Sequence, residues 1–289
     1  MKIGGLFMIE TPASWKDYVL LDAGGGEKLE KWGPVKVVRP DPQAFWPKSY
    51  DWETPDMCYH RSKSGGGKWE ITSKNVPKSW VVGYSKLKFK IRPTGFKHMG
   101  LFPEQAINWS KYRELIPRGA KVLNLFAYTG GATVACLEAG ADVTHVDAAK
   151  SMNDWARENI YLSGFSERKH RILTDDCLKF VQRERRRQNT YDAIIMDPPV
   201  YGRGPGGQMW KLEDNLYELV EECMGLLGNN PLFVQINAYT AGFSAAVFAN
   251  LLEIAAKKHG LGGKASCGEI GLFAQSGVTL PCGIYAIWK

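Results

Sequence analysis

From Ala120 to Lys289 the chain alternates short apolar, β-rich runs with longer amphipathic ones, and few folds accommodate that rhythm. The runs at 121–126, 142–146, 170–173, 191–196 and 232–236 read as strands. Those at 132–139, 151–163, 177–187, 212–227 and 243–258 read as helices. Strands separated by helices of that length build a parallel sheet covered on both faces. Two more strand-like runs, 264–273 and 280–288, have no helix between them, so they are expected to pair as an antiparallel hairpin. The expectation is an α/β fold: a doubly wound, seven-stranded, mostly parallel sheet ending in that hairpin.

The first third reads differently. Runs at 18–22, 35–39, 68–72 and 81–91 alternate or are β-branched, and the glycine triplets at 24–26 and 65–67 separate them. Short strands with glycine turns and no helical period suggest a small β-rich domain over 1–92, with Pro93 at its edge and 93–289 as the second domain. Charge follows the same division. The 289 residues carry a net charge of +7, and residues 1–92, with 16 Lys+Arg against 10 Asp+Glu, hold six of those seven charges. Between Arg61 and Lys97, ten basic residues face one acid, Glu70, with Trp69, Trp80, Tyr84 and Phe89 interleaved. Cations neutralise phosphates and aromatic rings stack on bases, so this stretch, and Lys86, Lys88 and Lys90 in particular, reads as an RNA contact. The alternative is a solvated, lysine-rich sheet face with the aromatics in its core.

A doubly wound sheet of this Rossmann-like kind binds its ligand outside the carboxyl ends of the central strands, where the strand order reverses. There the sequence places Phe126-Ala127-Tyr128-Thr129-Gly130-Gly131 after the first strand, and Asp147 at the end of the second, 17 residues beyond Gly130. A glycine turn lets a ligand approach the backbone, and a strand-end carboxylate accepts hydrogen bonds from ribose hydroxyls. The closely spaced glycines of G-x-G-x-x-G are missing, which speaks against a pyrophosphate and hence against a nicotinamide-dependent oxidoreductase. A nucleoside with a charged, non-phosphate arm fits the turn better.

Asn124-Leu125-Phe126-Ala127-Tyr128-Thr129-Gly130-Gly131, Asp147, Asp175-Asp176 and Asp197-Pro198-Pro199 together resemble the class I S-adenosylmethionine-dependent methyltransferases. Residues 95–109 and 196–204 resemble, more narrowly, the bacterial enzymes that methylate bases of 23S ribosomal RNA. The resemblance implies S-adenosylmethionine as cofactor. It assigns Phe126, Ala127, Tyr128, Thr129 and Gly130 to the methionine and ribose side, and Asp147 with Ala148 to the ribose hydroxyls. Asp176 and Cys177 fall at the adenine, Phe102 and Gln105 at the methionyl end, and Asp197 beside the cofactor. Where those enzymes read Asp-Gln-Arg before the first strand, this chain reads Glu104-Gln105-Ala106.

Methyl transfer from a sulfonium is an in-line displacement, so the protein's task is chiefly positioning. Asp197, fixed by two prolines at a strand end, could accept a hydrogen bond from an exocyclic amine, with the Pro198 carbonyl as second acceptor. Tyr201 could stack on the base, and the glycines at 202, 204, 206 and 207 suggest a mobile substrate loop. Methylation at cytosine C5 needs a cysteine nucleophile. In the relatives that do this chemistry the cysteine follows the fifth strand, where this chain reads Gln235-Ile236-Asn237-Ala238-Tyr239. A base nitrogen is therefore favoured as acceptor, with Asn237 or Tyr239 near it. The rival readings are a small-molecule or protein methyltransferase of the same fold and a catalytically silent RNA-binding module.

The remaining features bound the setting. Six cysteines without a C-x-x-C pair argue for reduced thiols in a cytoplasmic protein, and five scattered histidines have no metal-ligand spacing. Residues 1–18 do not read as a signal peptide, and no run of about 18 apolar residues occurs. The run Arg183, Arg185, Arg186, Arg187 reads equally as a solvated helix end and as an RNA contact. Oligomeric state is left open between monomer and homodimer.

Overall fold

The computed structural model describes residues 9–13, 15–62, 66–239 and 242–289. Lys63, Gly65 of the triplet 65–67 and half of the segment 1–18 read above lie outside them. The chain divides into two compact units, Met1–Ile107 with Ile270–Cys282, and Asn108–Glu269 with Gly283–Lys289.

The first unit is built on a five-stranded sheet of β1 (Tyr18–Gly24), β2 (Glu27–Trp32), β3 (Val35–Pro40), β4 (Met57–Arg61) and β5 (Gly67–Ile71), in that spatial order. Pairing is antiparallel except between β3 and β4. A separate hairpin joins β6 (Trp80–Tyr84) and β7 (Leu87–Ile91), so the run expected as one strand over 81–91 is two. Ser85, at φ 55°, makes the turn between them. The alternation sends the rings inward. Phe89 is 0 % and Tyr84 5 % exposed, and Trp15 lies against Tyr84 as Trp32 does against Tyr18. Trp80 donates its indole N–H to the Trp32 carbonyl, and Trp69 packs on Tyr59 while donating to the Thr94 carbonyl. The four aromatics expected as a base-stacking surface are thus core or pinned half-buried residues. Their lysine neighbours point out: Lys86 and Lys88 are exposed and Lys90 is half-buried.

The boundary falls later than Pro93. Arg92 N–H donates to the Met99 carbonyl, Arg39 to the Lys97 carbonyl, and Lys97 to the Pro40 carbonyl, so 93–107 folds back onto the β-rich unit. Residues 270–282 belong there too, since Gly271 donates to Glu10, Gln275 to Leu20 and Ser276 to Leu21.

In the second unit, α1 (Ala106–Leu115) leads into β8 (Lys121–Leu125), α2 (Gly131–Ala139), β9 (Asp142–Asp147), α3 (Lys150–Leu162), β10 (His170–Thr174), α4 (Cys177–Arg186) and β11 (Ala193–Met196). A short hairpin, β12 (Tyr201–Arg203) with β13 (Met209–Lys211), precedes α5 (Leu212–Met224), β14 (Phe233–Ala238) and α6 (Ala245–Lys258), and the chain closes with β15 (Ala265–Phe273) and β16 (Thr279–Trp288). The sheet order is β10-β9-β8-β11-β14-β16-β15, parallel from β10 to β14, with β16 antiparallel to β14. This is the expected doubly wound, seven-stranded sheet. All six residues of β14 are buried, as a central parallel strand covered by helices on both faces requires. Phe180, Leu219, Val220, Phe248 and Leu252 from α4, α5 and α6 form one core with Leu123, Leu125, Ile194 and Val234. On the other face the Tyr112 ring of α1 stacks on Phe233.

Candidate active site

The strand order reverses between β8 and β11, which lie side by side with Leu125 opposite Met196. Two loops therefore leave the sheet at the same level: the turn 126–130 and the Asp197-Pro198-Pro199 turn.

The turn is strained and fully anchored. Phe126 and Tyr128 have φ of 52° and 50°, a region that costs a non-glycine residue about 1–3 kcal/mol, so the surroundings must impose it. They do so through the backbone. Phe126 N–H donates to Cys177 Sγ (3.4 Å), Ala127 N–H to the Val146 carbonyl (3.2 Å), and Tyr128 N–H to Asp147 Oδ2 (2.8 Å). Asn159 Nδ2 holds the Thr129 carbonyl at 2.8 Å. Gly130 closes the turn at φ 83°, where an added Cβ would stand 2.9 Å from the Ala156 Cβ on α3. Gly130→Ala is accordingly expected to lower stability by about 1–2 kcal/mol from the left-handed backbone alone, with the clash added. Calorimetric unfolding reads this directly; an unchanged transition would show that α3 yields freely.

Asp147 ends β9 and braces this turn. Its Oδ2 takes the Tyr128 N–H and its Oδ1 takes the Ala149 N–H at 2.8 Å, and burial raises its carboxyl above the ordinary range while these two donors pull it back. Each oxygen keeps a lone pair for a ligand hydroxyl. Half-buried Ala148 follows it. Asp176 caps α4, its Oδ1 accepting from Lys179 N–H at 2.9 Å, and an added Cβ on Gly204 would stand 2.8 Å from its Oδ2. Cys177 lies beneath the turn, 4 % exposed, with its thiol raised by burial.

A buried polar chain that sequence reasoning missed stands behind these groups. His145 sits between Thr133 Oγ1 and Asn153 Oδ1, each at 2.9 Å, and burial lowers its pKa to about 3, so it is a neutral linker. Asn153 Nδ2 in turn donates to the Asp147 and Leu173 carbonyls, tying together the carboxyl ends of β9 and β10. The only local signal was polar residues on otherwise apolar elements.

On the second loop Asp197 follows β11, its N–H 3.4 Å from the Leu125 carbonyl. Pro198 is buried, and the Pro199 carbonyl accepts from Trp210 Nε1 at 2.6 Å. The Trp210 ring packs 4.9 Å from that of Phe126, so one indole touches both loops. Tyr201 is 52 % exposed at the start of β12. The glycine-rich stretch expected as a mobile loop is a hairpin, because Trp210 fastens it. Asn237 is not open to a substrate: its Oδ1 accepts from Asn108 and Gln235, both at 3.0 Å, and it is 2 % exposed. Tyr239 is 38 % exposed. Phe102 and Gln105 belong to the first unit, where the Phe102 ring lies 5.2 Å from that of His98. In the arginine run, Arg183 pairs with Asp175, Arg185 with Glu222 and Arg187 with Glu184, which favours the helix-end reading. Among the described residues there is no cluster of three His, Cys, Asp or Glu that could hold a metal, and no helix long and apolar enough to cross a membrane.

Comparison with known proteins agrees with this geometry. The chain is 32 % identical over 148 residues to the ribosomal RNA large subunit methyltransferase K/L of Shewanella frigidimarina, an alignment covering 50 % of this chain and 20 % of that protein. It is 31 % identical over 185 residues to the protein of that name from Vibrio campbellii, covering 63 % and 23 %. The chain thus spans about a fifth of the length of these curated relatives. The crystal structure of an S-adenosylmethionine-dependent methyltransferase from Agrobacterium tumefaciens superposes with a TM-score of 0.91 at 34 % identity, covering 98 % of this chain and 93 % of that one. The profile of the S-adenosylmethionine-dependent methyltransferases matches residues 56–221, and with it the two loops, the strand-end carboxylate and the strand order find a common explanation: the chain belongs to that family.

Proposed function

We propose that this chain transfers the methyl group of S-adenosylmethionine to a base of RNA, with ribosomal RNA as the natural substrate. The observation that carries the reading is the pairing of β8 with β11, which puts a cofactor turn beside an Asp-Pro-Pro turn, with exposed Tyr201 beyond the one intervening residue, Val200. The names of the curated relatives and the exposed Lys86 and Lys88 support RNA as the acceptor.

The residues present fit the cofactor. Asp147 offers a carboxylate to two ribose hydroxyls, and no cation stands in the turn 126–130, as suits a group whose charge is a positive sulfonium rather than a pyrophosphate. Bound there, the cofactor supplies an electrophilic methyl group. The protein's share is orientation. The anchored turn fixes one reactant, Asp197 and the Pro198 carbonyl accept from the amine of the other, and Tyr201 covers the base. A nitrogen acceptor is favoured over cytosine C5, since β14 ends in Gln235-Ile236-Asn237-Ala238, followed by Tyr239, without a cysteine, and Cys136, Cys177 and Cys223 are buried thiols raised by burial. Six free cysteines and the RNA substrate suit a cytoplasmic protein.

Incubating the protein with labelled S-adenosylmethionine and total RNA is expected to label a base nitrogen in large-subunit ribosomal RNA. Label confined to protein or small molecules would refute the RNA reading, and 5-methylcytosine would refute the nitrogen.

A further inference from the structure

The hairpin β12–β13 has two chemically distinct faces. Its register pairs Tyr201 with Lys211, Gly202 with Trp210, and Arg203 with Met209. Side chains of directly paired residues share a face, and the face alternates along the strand. One face therefore holds Gly202 and the buried Trp210, which fastens the hairpin to Pro199 and Phe126. The other holds Tyr201, Arg203, Met209 and Lys211, all exposed, with Tyr201 at 52 % and Met209 at 58 %.

We propose that this outer face is a contact surface for single-stranded RNA, holding the nucleotides that flank the target base. The inference rests on RNA being the substrate. A two-stranded hairpin gains little stability by itself, and displaying a ring and a thioether on it forgoes burial that folding would otherwise use. This exposed apolar pair stands between two cations, Arg203 and Lys211. The charge of the face selects a polyanion. Arg203 has no carboxylate partner among the described residues, and Lys211 meets only Asp214, at 3.6 Å with both side chains more than half exposed, a pair that a phosphate readily replaces. Arg203 and Lys211 are diagonal neighbours, about 7–8 Å apart at the backbone, and can each take a phosphate of one strand. Beside Tyr201, which covers the target base, Met209 offers an apolar surface to the next base, which a strand can present only when unpaired. Tyr201 follows Asp197 by four residues, so a strand whose base reaches Asp197 continues over this face.

The test uses the full chain, a short unstructured RNA oligonucleotide and fluorescence anisotropy across a salt series. Each phosphate contact on a single strand contributes about 0.7 to the slope of log affinity against log salt. Arg203→Gln with Lys211→Gln is expected to reduce that slope by about 1.4, and Met209→Lys to increase it by about 0.7, a gain that misfolding cannot imitate. Lys169→Gln, at the amino end of the strands where Lys169 pairs with Asp142, is expected to leave it unchanged. S-adenosylmethionine affinity, measured by calorimetry, is expected to stay within about twofold in every variant, since none of these residues lies in the turn or its carboxylates. A wild-type slope in both hairpin variants, or an equal change in Lys169→Gln, overturns the proposal while leaving RNA as substrate. Absence of salt-dependent RNA binding by the wild-type chain overturns the substrate reading itself, and this surface with it.

Discussion

Arg39→Ala is expected to destabilise the first unit by about 3–5 kcal/mol, the range for removing one partner of a buried ion pair. Arg39 and Glu30 are 4 % and 0 % exposed, and their side chains meet twice, Nε to Oε2 at 2.6 Å and Nη2 to Oε1 at 2.7 Å. Tyr18 donates to the same carboxylate at 2.9 Å, and a second buried pair, Lys28 with Asp41 at 3.1 Å, lies nearby in the fold. Burial pushes the Glu30 carboxyl up, but Arg39 and Lys28 outweigh it and hold it below its ordinary value. The sign of the pH dependence follows. Because the folded-state value is depressed, the pair's contribution is present above the unfolded carboxyl's pKa, near 4.5, and is lost as the pH falls through the lower folded value. In Arg39→Ala that acid-limb loss should disappear, since without its fork the buried carboxylate is disfavoured. Arg39→Lys, which keeps the charge but not the paired hydrogen bonds, should fall between. Denaturant unfolding followed by tryptophan fluorescence suits the measurement, because the Trp32 ring lies 5.5 Å from the guanidinium. A cost under about 1 kcal/mol would mean that the pair behaves as a surface salt bridge.

This network also explains where the sequence was hard to read. β2, Glu27–Trp32, carries four charged residues in six and does not resemble a strand, yet Lys28 and Glu30 point inward. Their partners, Asp41 and Arg39, are 13 and 9 residues away, and no local pattern announces them. The turn at Ser85 was hidden for a similar reason, since a serine holds the positive φ without a glycine to mark it. The parallel sheet was legible almost residue by residue. The run at 142–146 is β9, Asp142–Asp147, and the run at 151–163 is α3, Lys150–Leu162. The central strands β8, β11 and β14 are largely apolar blocks, and that signal survives without knowledge of neighbours. The candidate site divides in the same way. Asp147, the turn and Asp197 were visible because chemistry sits at strand ends, where topology alone places it. The links were not, because His145 joins two side chains, those of Thr133 and Asn153, and Asn153, Asn159 and Trp210 hold the carbonyls of Leu173, Thr129 and Pro199, none of which a local pattern announces.

Those links set the expectation for Asp197→Ala, a fall in methyl transfer of about 10²–10⁴-fold, the range for losing a positioned proton acceptor. The backbone at Asp197 is held by β11 beside β8 and by two prolines, and Trp210 clamps the second proline's carbonyl, so deleting the carboxylate leaves the frame standing. As an amine nitrogen bonds to the methyl group it gains positive charge, and it must then release a proton. A carboxylate already in place stabilises that charge and accepts that proton without reorganising. Asp197→Asn separates the two contributions, because its amide oxygen still accepts a hydrogen bond from the amine but carries no charge. If orientation dominates, the asparagine variant keeps most of the activity; if charge and proton acceptance dominate, it falls nearly as far as alanine. Either result is compatible with a catalytic Asp197 provided the alanine variant loses turnover while the salt slope of RNA binding stays at the wild-type value. An alanine variant retaining more than about a tenth of wild-type turnover would remove Asp197 from the chemistry and leave the strand-end carboxylate a structural group.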